Sequence, residues 1–166
     1  MMLSVVALGH AESPAAPPGT EDVNRGVRLA RRGAAADALA AFERACRRNP
    51  DLPEAHLDRG LLLAQAGNHA KAQAALGRAL ALDPDMPEAL EGMALSLLQQ
   101  HRNREAAAAY ARALRSGAGS ADTHYNLAVA LARVGDREGA VEACREAVRL
   151  RPGMKQAQAL LQEVGQ

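Results

Sequence analysis

Five histidines, two cysteines and a scatter of carboxylates are the residues of this chain with chemistry to offer. Among His10, His56, His69, His101 and His124 there is no His-x-x-x-His pair, and none stands beside a cysteine at ligand spacing, so no metal site is expected. A nucleophilic thiol needs a base within reach, and the chain's periodicity places no histidine to activate Cys46 or Cys144. The serines fall mostly in loops or the N-terminal stretch. Gly117 to Gly119 and Gly135 to Gly139 are too short for phosphate loops and follow no strand. Glu88 and Glu91 lie one helical turn apart, on what reads as a solvated face. The expectation is a non-enzymatic protein with no catalytic residue, cofactor or metal.

The elements that must position these residues recur. Pro50, Pro84, Ala118 and Pro152 are spaced 34 residues apart. Gly26, Gly60, Ala94 and Ala128 hold a small-residue position, and Leu29, Leu63, Leu97 and Leu131 follow it. Gly33, Gly67, His101 and Gly135 mark a turn. Beyond it come Ala38, Ala72, Ala106 and Ala140, then Phe42, Leu76, Tyr110 and Cys144, then Ala45, Ala79, Ala113 and Ala147.

These residues resemble the tetratricopeptide repeat family, whose unit is two antiparallel helices with small residues at their close approach and a proline after the second. The resemblance covers about Gly19 to Pro152 and implies an all-α fold: a right-handed α-solenoid of four helix-turn-helix repeats plus a C-terminal capping helix. The repeats are placed at about 19–52, 53–86, 87–120 and 121–152, inside a domain of 20–152, with the cap in 153–166. The family's usual tryptophan is replaced by Asp22, His56, Leu90 and His124, and the two histidines are read as stand-ins for the aromatic ring.

Composition narrows the class further. A chain of 166 residues can bury a substantial core, and 48% hydrophobic content without a long apolar run excludes membrane insertion by residues 20–166. A formal net charge of +1 and an aromatic content of 2% remove both usual sources of nucleic-acid affinity. Arginine far outnumbers the two lysines, Lys71 and Lys155, which fits a GC-rich bacterial genome. Residues 1–19 read as a disordered tail, an apolar run followed by a Pro/Ala linker. The cytoplasm is favoured, with export open if the true start lies upstream, because Gly9 to Ala11 loosely resembles a cleavage site. Stacking keeps Cys46 and Cys144 too far apart for a disulfide.

In the first repeat, helices are expected near Glu21 to Arg32 and Ala36 to Arg48. Arg25, Arg28 and Arg32 share one face and read as a polar end-cap. Asp51 and Asp85 are expected to cap their helices, with Pro53 and Pro87 in the first turn and Glu54 and Glu88 folding back on the cap. Asn68 and Asp136 are expected to cap second helices. Arg47, Arg48, Arg115, Arg149 and Arg151 suit helix C-termini. Ser116 to Ser120, with two glycines and no proline, marks the expected hinge. Ala157, Leu160, Leu161 and Val164 form the inward face of the last helix.

The resemblance also implies a concave groove lined by the first helix of each repeat. Its rows are Val23, Leu57, Glu91 and Tyr125; Asn24, Asp58, Gly92 and Asn126; and Val27, Leu61, Leu95 and Val129, with Glu54, Glu88 and Asp122 toward the helix starts. The clamp of lysine, asparagine and arginine by which some family members hold chaperone C-termini is absent, since Val23, Val27, Glu88 and Gly92 occupy its positions. An apolar floor with an acidic rim suits a peptide with apolar anchors and basic flanks. The expected role is a protein-binding adaptor, scaffold or assembly factor. A self-associating array, and a regulatory subunit of an enzyme on another chain, stand as alternatives.

Overall fold

The computed structural model describes residues 16–166. The apolar run, the cleavage-like site and His10 lie outside the described residues. Nine helices and no strand make up the described chain: α1 (Thr20–Arg31), α2 (Ala35–Arg48), α3 (Pro53–Gln65), α4 (His69–Leu82), α5 (Pro87–Gln99), α6 (Asn103–Arg115), α7 (Ala121–Val134), α8 (Arg137–Leu150) and α9 (Lys155–Val164).

Successive helices pair as hairpins, and the pairs stack. Odd-numbered helices touch the next odd-numbered helix, whereas no two even-numbered helices pack together. The odd helices therefore trace the shorter inner arc of the solenoid, and their free faces form its concave side.

Each hairpin closes over one small-to-large contact. A methyl added at Gly60 would lie 2.6 Å from Leu76 Cγ, and one at Gly26 would overlap the Phe42 ring. Ala94 and Ala128 hold the same position opposite Tyr110 and Cys144, all four buried. Two alanine columns on the even helices, Ala38, Ala72, Ala106 and Ala140 and then Ala45, Ala79, Ala113 and Ala147, are fully buried and let the hairpins seat at short range. Close packing of this kind supplies dispersion contacts that larger side chains at these positions would prevent.

The turns follow from backbone chemistry. Gly33, Gly67 and Gly135 adopt left-handed φ of 77°, 76° and 83°, and His101 adopts φ of 60° at the equivalent place. Each ends its helix by the same pair of bonds, as when Asn68 N donates to Leu63 O and Gly67 N to Ala64 O. The Ser116 to Ser120 segment is built likewise: Ala118 N donates to Ala113 O, Gly117 N to Leu114 O, and Ser120 caps α7 by accepting from Thr123 N. The expected joint is thus a hydrogen-bonded turn.

Several local expectations are corrected. Asp51 and Asp85 do not cap their helices, because the cap positions are Leu52 and Met86, with no side-chain cap bond. The chain turns there by Asp51 N donating to Asn49 Oδ1 and Asp85 N to Asp83 Oδ1, while the Asp51 carboxylate accepts from Arg78. Asn68 holds its cap position without a side-chain bond, whereas Asp136 accepts from Gly139 N. Gly19, where the tail is expected to meet the first repeat, is buried against Ala45 as the residue before α1. Arg151 is the C-cap residue of α8, and its side chain forks onto Asp122 at 2.9 and 2.7 Å. The last helix does turn Ala157, Leu160 and Leu161 inward, onto the core of α7 and α8.

Two substitutions test these constraints by chemical denaturation. Gly60→Ala should lower stability by about 1–2 kcal/mol, although the same change in an open helix would raise it. His101→Gly should stabilise by up to about 1 kcal/mol through relief of the left-handed backbone.

Candidate functional site

The concave face carries one hollow of about 320 Å³ where α3, α5 and α7 converge. It gathers Leu61, Glu88, Glu91, Leu95, Asp122 and Asn126 from the expected groove rows, with Gly92 and Tyr110 beneath. Gly92 lets the Leu61 side chain lie close over α5, since a methyl there would sit 2.7 Å from Leu61 Cδ2 and push that leucine aside. Leu95 is 41% exposed, an unusual position for a large apolar side chain in this protein.

Other residues of the rows are placed elsewhere. Val23 is buried in the seam of α1, α2 and α3, against Phe42 and Leu52, so it offers no groove surface. Val27 packs on the same cluster, and Asn24 borders a separate polar hollow with Arg25, Arg28 and Arg48. Leu57 packs beside Leu76, Val129 against the Tyr110 cluster, and Tyr125 toward Met154 and Ala157. Each is half-buried. Glu54 is exposed and Asp58 half-buried, one turn apart on α3.

The acidic rim is uneven. Arg151 neutralises Asp122 and holds its carboxyl below the usual range. Glu91 is fixed from below, where Thr123 Oγ1 donates to its carboxylate. Thr123 is 2% exposed and stands where the second and third repeats and the capping helix carry Ala55, Ala89 and Ala157, and the first repeat Glu21. Its hydroxyl also meets Ser120 Oγ at 2.6 Å, so a single chain of hydrogen bonds runs from the cap of α7 to Glu91. Sequence reasoning missed Thr123; the break in an alanine column was its signal. No basic residue lines the hollow.

Tyr110 rises from α6 into its floor and is 1% exposed. Burial, and then the Glu91 charge, push its phenol well above the usual range, with the nearby Asn126 amide opposing. The hydroxyl stays protonated and makes no hydrogen bond of normal geometry.

Of the residues weighed for catalysis, Glu88 and Glu91 line this hollow, whereas neither cysteine and none of the described histidines does. One expectation is overturned: Cys46 does have a histidine. His56 Nε2 lies 2.8 Å from Pro50 O, which can only accept, so Nε2 donates there and Nδ1 faces Cys46 Sγ at 3.6 Å. Periodicity could not show this, because the pair joins α2 to α3 across the Pro50 turn. Burial raises the Cys46 thiol, more than Arg59 lowers it, so the pair is a protonated thiol and an imidazole packed at a hairpin junction. Burial also raises the Cys144 thiol. Ser96, 1% exposed in α5, meets His69 Nδ1 at 3.4 Å, with no path for a substrate. At the family's aromatic position Asp22 is buried in a double ion pair with Arg44 and Arg48, at 3.2 and 3.1 Å. Among the described residues no three His, Cys, Asp or Glu side chains are placed to hold a metal ion, and no helix is long and apolar enough to cross a membrane.

The family model described as tetratricopeptide repeat matches residues 23–87, 57–102 and 91–155. Solved structures of similar fold include "MamA 41-end from Desulfovibrio magneticus RS-1", with a TM-score of 0.81 and 23% identity over 89% of this chain and 83% of that one. Another is "MamA MSR-1 C2", with a TM-score of 0.77 and 18% identity over 88% and 84%. No curated protein matches the sequence.

Asp58 gives the groove a pH dependence. Burial, and then repulsion from Glu54, raise its carboxyl from 3.8 to about 6. A raised carboxyl pKa means the folded protein binds this proton more tightly than the unfolded chain, so this contribution to stability falls as pH rises from about 4 to about 6. Asp58→Asn should therefore raise the urea midpoint at about pH 7.5 and leave it unchanged near pH 4.

Proposed function

The chain belongs to the tetratricopeptide repeat family, and from that premise we propose that it is a non-enzymatic binding module, an adaptor, scaffold or assembly factor. In this reading it holds an extended or helical segment of a partner protein in the concave groove, by apolar anchors with basic flanks. The observation that carries it is the hollow itself, where Leu61 and Leu95 stand beside Glu88 and Glu91 with no basic residue in the lining. Apolar side chains of a partner would be desolvated against the leucines, and positive flanks would gain from carboxylates that the fold leaves unpaired. Repulsion by the same carboxylates disfavours an acidic peptide.

Asp122 contributes less than its charge suggests, because Arg151 already occupies it. The acidic character belongs to Glu54, Asp58, Glu88 and Glu91. At the N-terminal end, Arg25, Arg28, Arg31 and Arg32 are all exposed, which keeps self-association open as a second reading and makes light scattering across protein concentration its direct check. A partner that proves to be an enzyme would make this chain its regulatory subunit.

Leu61→Ser with Leu95→Ser, and separately Glu88→Lys with Glu91→Lys, should each reduce recovery of the co-purifying partner by about tenfold or more while circular dichroism stays native. Folded variants that retain every partner would rule the groove out.

A further inference from the structure

We propose that the hollow between α3, α5 and α7 receives an arginine side chain of the groove-bound segment, its stem between Leu61 and Leu95 and its guanidinium on Glu91, Tyr110 and Asn126. This rests on the groove being a peptide site and names what its deepest position selects.

Two independent observations meet here. The first is charge: Glu88 and Glu91 line the hollow with no cation among them, and Glu91 is held in place by Thr123 rather than left to rotate in solvent. The second is the Tyr110 hydroxyl, buried beneath the hollow beside Glu91 and Asn126, with no hydrogen bond of normal geometry and only the Asn126 amide near it. A buried hydroxyl left unpaired destabilises the empty protein, so its retention at the floor of a cavity points to a guest that completes it.

The donor inventory decides the guest. A guanidinium N–H can donate to a lone pair of the phenol oxygen, which leaves the phenol O–H still able to donate to the Glu91 carboxylate. A second N–H meets the open lone pairs of Glu91, and a third the Asn126 carbonyl. An anion would find carboxylates, and a neutral aliphatic chain would leave all three acceptors unmet. An ammonium can reach one or two of them, but it is a more strongly hydrated point charge, whereas the planar guanidinium tolerates apolar walls and binds in a fork. A volume of 320 Å³ suits one long side chain rather than a folded element.

The test uses Nα-acetyl-arginine methylamide, with its lysine and norleucine counterparts, titrated into the full chain and followed by amide NMR shifts. The arginine probe should move resonances of Leu61, Glu91, Leu95 and Asn126 saturably and bind at least about threefold tighter than the lysine probe. Glu91→Gln should weaken it about fivefold or more. Tyr110→Phe keeps the ring's packing, so it should melt no lower than the parent while weakening the arginine probe about threefold. The assignment is overturned if norleucine shifts the same resonances equally, if lysine binds as tightly, or if Tyr110→Phe lowers the melting temperature and leaves arginine binding unchanged. Groove variants that lose their partner while the arginine probe never bound would refute this inference alone. A bound probe with partner capture intact in the groove variants would refute the peptide as the source of the arginine.

Discussion

Everything in this solenoid hangs on how closely the two helices of each hairpin approach. Glycine or alanine on the odd helix admits Phe42, Leu76, Tyr110 or Cys144 from the even one, and the alanine columns bring the next odd helix onto the same surface. With a small residue on one side of every such contact, the helices approach closely and a single larger side chain fills the space between them. The stack is held together locally, neighbour by neighbour, and its curvature follows because only the odd helices touch their successors. The concave face is a by-product of that packing rule. In its open hollow Leu61 lies close over Gly92 while Leu95 stands exposed to solvent.

The architecture was legible because it is written in residue size at a fixed period. Stepping by 34 from Pro84 or Gly60 is enough to locate every hairpin, and the two helices of the first repeat fall within a residue of the bounds expected for them. What the pattern could not show was where polar side chains turn once the helices are placed. Asp51 looks like a helix cap and instead meets Arg78 from α4, the second helix of its repeat. Asp122 looks like a free groove acid and is taken by Arg151, and Asp22, at an aromatic position, becomes a buried ion-pair centre. Such choices depend on long, flexible arginines whose reach exceeds a helical turn, and periodicity carries no record of it.

The same limit explains the groove. Its rows were read from register alone, which treats all four repeats as equivalent. The ends of the stack break that equivalence: Val23 is covered by the first hairpin and Tyr125 lies toward the capping helix, so the open floor lies between them, on α3, α5 and the first turns of α7. Thr123 is the instructive case. One hydroxyl in a column of alanines costs little space, yet it ties Glu91 down and turns a solvated carboxylate into a fixed acceptor. Cys46 and His56 show the converse, a pairing that looks like chemistry by distance and reads as packing once burial and the raised thiol are counted.

Hydrogen–deuterium exchange on the complex with its co-purified partner tests the central claim most directly, because it maps the bound surface without altering the protein. A partner seated in the groove should slow exchange in α3, α5 and α7, around Leu57 to Leu61, Glu88 to Leu95 and Asp122 to Val129, and leave α4, α6 and α8 unchanged. Protection concentrated on the even helices, or confined to α1 or α9 at the ends of the stack, would contradict it.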